Sequence, residues 1–166
     1  MYYYRISSDR LESNQSRDGL KVFDSTGGSY SILVNPAESE KFNPFSSKDA
    51  RFALNYLVDR KMIVNELMGG YGSPIISYYG PTDPEYLTII KQLESFNFKY
   101  NPTLAEEIIS KSLVERGAVK IDNKWKIEDI EIEITIFIRS DDPVRKSIGE
   151  ILSAELQNIG FTVKKD

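Results

Sequence analysis

The sequence predicts an α/β domain of the α+β kind, helices packed on a mixed sheet, and three patterns carry that expectation. Ile130, Ile132, Ile134, Ile136 and Ile138 alternate with Glu131, Glu133 and Thr135, the period of a strand with one face on helices and the other in water. A capped amphipathic helix follows, stops at Gly160 and feeds a further strand, Phe161-Thr162-Val163. A strand–helix–strand run of that length is the right-handed crossover that joins parallel strands. Upstream, apolar residues recur at helical spacing behind recognisable caps, most cleanly behind Asn101-Pro102. At 166 residues the chain suits one domain with a proper core, and residues 1–166 read as a single unit without internal repeats.

In chain order, Leu20 to Phe23 reads as a short strand, followed by the turn material Asp24-Ser25-Thr26-Gly27-Gly28. Tyr30, Ile32 and Val34 share one face of a second strand that Pro36 ends, and the two strands are spaced to pair as a hairpin. Ser46 with Asp49 fits a capping box, ahead of Phe52, Ala53, Tyr56 and Leu57 at helical spacing. Asp59 suits the cap of a second helical segment with Met62, Ile63, Leu67 and Met68 on its apolar face, stopped by Gly69-Gly70. One kinked helix and two separate ones fit equally well. Tyr71 to Tyr86 is loop material, and Pro84 opens a short helix through Ile89, Ile90 and Leu93 to about Ser95.

Asn101 caps the next helix, with Leu104, Ile108, Ile109 and Leu113 as its buried stripe and Gly117 as its end. Val119-Lys120-Ile121 and Trp125-Lys126-Ile127 flank Asp122-Asn123-Lys124 as a small hairpin. After the isoleucine strand, Asp141 or Asp142 caps the last helix at Pro143, with Val144, Ile148, Ile151, Leu152, Leu156 and Ile159 facing inward.

Composition removes several functions. A net charge of -4 lacks the basic footprint of a phosphate-backbone partner, so no nucleic-acid role is expected. With no cysteine and no histidine, thiolate chemistry, Cys-based zinc sites, the commonest general base and the commonest transition-metal ligand are all absent. No enzyme activity and no cofactor is expected. No apolar run approaches the ~18 residues of a membrane span. Met1-Tyr2-Tyr3-Tyr4-Arg5 lacks the basic and apolar regions of a secretory signal, which taken literally predicts a cytoplasmic chain.

Four patches carry a family resemblance. Tyr30-Ser31-Ile32-Leu33-Val34-Asn35 is followed by Asn43-Pro44-Phe45, a helix start, Arg51, then Ala53-Leu54-Asn55-Tyr56-Leu57-Val58-Asp59-Arg60. The run continues into Ile63-Val64 and Gly69-Gly70-Tyr71-Gly72-Ser73-Pro74. Tyr100-Asn101-Pro102 through Gly117, and Ile148 through Val163, complete the set. In order and spacing these resemble ABC-transporter extracellular solute-binding proteins of the oligopeptide/dipeptide-binding type (family 5). The resemblance implies the central part of the second lobe of a periplasmic-binding-protein-like type II fold. It also implies a parent that works outside the cytoplasm, so that Met1 begins an excised piece. The implied partners are a peptide or other small solute, the receptor's first lobe and a membrane permease. The alternative is a ligand-sensing domain of a transcriptional regulator built on the same lobe.

Several side chains invite functional readings. The loop residues Tyr71, Ser73, Tyr78 and Tyr79 are the candidates for ligand contact, because tyrosine gives large amphipathic surface and loops on rigid scaffolds commonly bind. Arg51, Asp59 and Arg60 form a charged group on a helix, for which a cap with ion pairs is a simpler account than catalysis. Glu131 and Glu133 stand at alternate positions, near the separation of about 5–9 Å of a glycosidase pair, but an exposed strand face explains them. Glu38, Glu40, Asp83 and Glu85 lack a calcium-loop pattern, and no metal site is expected. Trp125 reads as a core or edge plug.

Overall fold

The computed structural model describes residues 18–19, 21, 28–80 and 83–166. Its elements are α1 (Lys48–Leu57), α2 (Arg60–Met62, running into a π turn at Ile63–Leu67), α3 (Tyr86–Ser95), α4 (Pro102–Glu115), β1 (Val119–Ile121), β2 (Lys124–Ile127), β3 (Ile130–Glu131), β4 (Glu133–Ile136), α5 (Pro143–Asn158) and β5 (Thr162–Lys165). β1, β2 and β3 form an antiparallel meander, while β4 and β5 pair in parallel with α5 crossing between them. The α/β class is thus observed, but the expected mixed sheet is two sheets, one antiparallel and one parallel, because the isoleucine strand changes partners partway along.

Tyr30, Ile32 and Val34 do not form the expected strand. Residues 28–39 have no regular structure, because a strand needs a ladder partner and none of the described residues supplies one. The proposed partner, Leu20 to Phe23, lies largely outside the described residues. Of the alternating set, Val34 packs on the core while Leu33 is 94% exposed. Asn43 holds the segment instead, its side-chain amide donating to the carbonyls of Asn35 (2.9 Å) and Ala37 (2.8 Å).

Asn43 also shifts the first helix. Its Oδ1 accepts from the Phe45 N–H (2.9 Å) and opens a 3-10 turn over Pro44–Ser46, so Ser46 is used up before the α-helix begins. Ser47, not Ser46, is the N-cap, accepting from the Ala50 N–H at 3.3 Å, and Asp49 then falls outside the capping-box position. The helix stops at Val58, which is extended, and Asp59 caps the next one through the Met62 N–H (2.9 Å). The segment is therefore two helices. α4 and α5 start where expected, on Asn101 (3.1 Å to the Leu104 N–H) and Asp142 (3.0 Å to the Val144 N–H).

The isoleucine strand divides at Ile132. Its N–H donates to the Trp125 carbonyl (2.8 Å) in the meander, while its own carbonyl accepts from the Thr162 N–H (3.2 Å) in the parallel pair. One buried residue thereby bridges two sheets. Ile130, on the far side of that switch, is 69% exposed and does not share the buried face expected for it. The β1–β2 turn is also tighter than expected: Asp122 and Asn123 both have positive φ (49° and 60°), and Lys124 already belongs to β2. Glu128 and Asp129 repeat the same conformation between β2 and β3 (49° and 64°), the geometry whose twist matches paired strands.

The core lies where α1 packs on α4 and where α5 covers the strands: Leu57, Ile109, Leu113, Leu156 and Phe161 are its largest fully buried side chains. Each such side chain contributes about 1.5–3 kcal/mol by leaving water. Two glycines mark close approaches. A Cβ on Gly149 would stand 2.7 Å from Ile138 Cδ1, so this glycine lets α5 lie directly on the end of the strand region. Gly160 (φ +106°) turns the chain from α5 into β5 while its carbonyl accepts from the Trp125 N–H (2.9 Å). Trp125 is a core plug, its indole N–H donating to the Ile159 carbonyl at 2.9 Å.

Candidate functional site

The loop 69–80 leaves the π turn through two glycines with positive φ, Gly69 (59°) and Gly70 (79°). Backbone bonds fix its start: Gly70 N–H to the Val64 carbonyl (2.9 Å) and Tyr71 N–H to the Met68 carbonyl (3.0 Å). Its far end is held by the Gly80 N–H on Asp83 Oδ2 (2.6 Å), and Ser77 Oγ donates to the Tyr79 carbonyl (2.5 Å). Between these anchors Tyr71, Ser73, Tyr78 and Tyr79 are all exposed, Tyr78 at 93%. The Tyr78 and Tyr79 rings meet edge to face, centroids 5.8 Å apart at 86°. The four residues thus share one loop, tied at both ends, with their side chains on the surface.

The charged residues on α1 and α2 are structural, and ion pairs do not join them. Arg51 Nη1 donates to the carbonyls of Phe45 (2.7 Å) and Ser46 (2.8 Å), closing the 3-10 turn. Arg60 donates to the Asn55 carbonyl (2.9 Å) and Asn55 Oδ1 (2.7 Å), and Asp59 is spent on its cap. Burial lowers the pKa of Arg60 from the ordinary guanidinium value. Arg116, which the sequence did not single out, does similar work from α4. It reaches the Asn43 carbonyl (3.0 Å) and Ser46 Oγ (2.8 Å) and stacks over Phe42 at 4.3 Å. Orphan carbonyls explain these arginines, as they do helix ends generally.

Glu131 accepts from Thr162 Oγ1 (2.5 Å), and both Glu131 and Glu133 lie exposed, on β3 and β4. No group of three acidic residues able to hold a metal occurs among the described residues, and no helix there is long and apolar enough to cross a membrane.

One cleft was not legible in the sequence. Tyr100, Pro102, Thr103, Glu106, Glu155, Asn158 and Ile159 line about 300 Å³ between the start of α4 and the end of α5. The Tyr100 hydroxyl donates to Glu155 Oε1 (2.6 Å), which pushes its pKa up to about 12. Lys120 binds Glu106 (2.8 Å). One oxygen of each carboxylate is thus engaged, and the cleft holds no activated nucleophile. No local pattern could have revealed it, since its residues come from two helices and the segment before one of them.

The model of the family described as "Bacterial extracellular solute-binding proteins, family 5 Middle" matches residues 1–165. The oligopeptide-binding protein AppA of Bacillus subtilis (strain 168) is 23% identical over 166 residues, 98% of this chain and 28% of that protein. Among solved structures, NikZ from Campylobacter jejuni in complex with Ni(L-His) superposes with a TM-score of 0.51 at 27% identity, covering 74% of this chain and 23% of that one. The oligopeptide-binding protein from Thermus thermophilus, complexed with a pentapeptide, superposes with a TM-score of 0.58 at 20% identity, over 73% and 19% of the two chains. That last likeness concerns the fold alone. The chain thus spans about a quarter of the length of the relatives it matches. The family model and the AppA match both name solute-binding or oligopeptide-binding proteins, and nothing among the comparisons supports the regulatory alternative. The chain belongs to the bacterial extracellular solute-binding proteins of family 5.

Proposed function

We propose that this chain is the central part of the second lobe of a receptor that captures an oligopeptide or similar small solute and delivers it to the permease of an ABC transporter. The observation that carries this reading is the match of the family model to residues 1–165 of a chain about a quarter as long as its relatives. The remaining receptor then includes the first lobe, the parent protein acts outside the cytoplasm, and capture proceeds by closure of the two lobes without covalent chemistry. Tyr71, Ser73, Tyr78 and Tyr79 are assigned to ligand contact. Their exposure on a loop anchored at both ends supports this, because a fixed loop loses little freedom on binding.

Half of a closing cleft binds poorly. Calorimetry on this chain with short peptides should therefore give no better than millimolar affinity. A defined solute bound at micromolar affinity or tighter would sink the half-site reading.

A further inference from the structure

β4 and β5 form a sheet of two strands, so among the described residues each keeps one edge without a ladder partner. Three bonds tell which backbone groups of β4 lie on that edge. The carbonyls of Ile132 and Ile136 accept from the N–H groups of Thr162 and Asp166, and the Ile138 N–H donates to the Asp166 carbonyl. Even-numbered residues thus spend their backbone on β5. Successive residues of a strand point their backbone groups to opposite sides, so Glu133, Thr135 and Phe137 turn theirs to the free edge. The free edges of the two strands differ. β5 ends in Lys164, Lys165 and Asp166, charges of the kind that discourage pairing at an exposed edge. From Ile134 to Ile138 the β4 segment carries no charge, proline or glycine, only the β-branched and aromatic residues of a paired strand. Ile134 and Ile136 pack on the core yet stay half-buried, and Phe137, on the opposite face, is 80% exposed.

Two parallel strands standing alone are unusual, since parallel sheets are normally wider and covered on both faces. We infer that the free edge of β4 receives one further strand, supplied by the part of the parent protein outside these 166 residues. The inference rests on the receptor reading above and names a surface by which the rest of the receptor holds this lobe. The chain spans about a quarter of the length of its relatives, so such a parent has polypeptide to supply the strand. The occupant is an extended segment with apolar side chains on both faces. Its backbone pairs with Glu133, Thr135 and Phe137, one set of its side chains completes the burial of Ile134 and Ile136, and the other covers Phe137.

The test is amide hydrogen exchange, read residue by residue in this chain and in the full-length parent protein. Ile134 and Ile136 should be protected in both. Thr135 and Phe137 should exchange freely in this chain and slow by about a hundredfold or more in the parent. Equal, fast exchange of Thr135 and Phe137 in both proteins would overturn the inference. Protection already present in this chain would overturn it too: lost on dilution, it would assign the edge to a second copy, and kept on dilution, to the chain itself. Thr135→Pro removes an N–H that β5 does not use, so it should lower the thermal midpoint of the parent and spare that of this chain, whereas Ile136→Pro should unfold both. Equal damage to this chain from the two prolines would count against a free edge. Binding of short peptides by the parent, measured alongside, separates the two readings. Binding without protection of the edge overturns the inference and keeps the receptor; protection without binding of any solute keeps the edge and overturns the receptor.

Discussion

Two regions of this molecule are built on opposite terms. In the α1–α4 seam, Ala50, Ala53, Leu57, Ala105, Ile109 and Leu113 are fully buried, and three arginines close the exposed carbonyls at its edge. In the excursion that follows, Ile63 and Val64 are buried, while α3 has no fully buried side chain, only the half-buried Tyr86, Ile89, Ile90 and Leu93, and Leu87 stands 74% exposed. The first region is over-determined by packing. The second is held by the Asp59 cap, two glycines, a few backbone bonds and partial burial. Small, deeply buried alanines let two helices approach closely and fix each other. α3 rests on half-buried side chains, among them Ile89, Ile90 and Leu93, rather than on a packed seam. The excursion carries the surface assigned to recognition, which accords with the general tendency of binding segments to come from the less stable parts of a fold.

The sharpest way to break the contrast is to remove equal side chains from both regions. Leu113→Ala should cost about 2–5 kcal/mol of stability in urea unfolding, because the cavity lies in a seam that cannot collapse. Leu87→Ala on α3 should stay within about 0.5 kcal/mol of the parent chain. Comparable losses at the two positions would mean that α3 is held by packing after all.

A second experiment adds volume where the scaffold is tightest. Gly149→Ala places a methyl on Ile138, and overpacking of this kind costs about 1–3 kcal/mol. Ile138→Val in the same chain should return part of that loss, since the clashing atoms include Ile138 Cδ1, which valine lacks. Additive losses in the double variant would place the strain elsewhere.

Helix caps are the next smaller effect, and they also show how much of the fold is legible in the sequence. Asn101→Ala should cost about 1 kcal/mol by thermal or urea unfolding, with the loss falling on α4. That cap, like Asp59 and, to within one residue, Asp142, is readable because it concerns three or four neighbouring residues. The Ser47 cap was missed by one position because Asn43 builds a 3-10 turn first, a competition between two local motifs that periodicity does not record. The break at Ile132 was unreadable for a different reason: it depends on Trp125 and Thr162, which lie in two other strands. The loop 69–80 was visible as a composition. The mutual edge-to-face setting of Tyr78 and Tyr79 and the far greater exposure of Tyr78 follow from backbone geometry alone.

Tyr100, just ahead of α4, reaches across to α5 through its hydroxyl bond to Glu155 (2.6 Å). Its hydroxyl bond to Glu155 favours the protonated phenol in the folded chain, so its pKa stands near 12, above the ordinary value of 10.0. A tyrosine pKa raised on folding contributes stability that is fully present below the unfolded pKa and fades as pH climbs from about 10 to about 12. Ultraviolet titration of the phenolate should show a late step from Tyr100. In Tyr100→Phe that late step should vanish, and the fall in stability across this alkaline window should become shallower. A late step that survives in Tyr100→Phe would belong to another tyrosine.

The smallest expected effect on stability is the most informative about recognition. Tyr78→Ala removes the most exposed ring of the loop and leaves its backbone anchors, Gly70 on Val64 and Gly80 on Asp83, untouched. The unfolding midpoint should move by no more than about 0.5 kcal/mol equivalent. Its edge-to-face partner Tyr79 loses one ring contact, a term of about 0.5–1.5 kcal/mol in buried settings that shrinks when both rings face water. If Tyr78→Ala instead destabilised the chain as much as a core truncation does, the ring would be holding the loop in place. The division between a packed scaffold and a recognition surface carried on anchored backbone would then fail at its most exposed point.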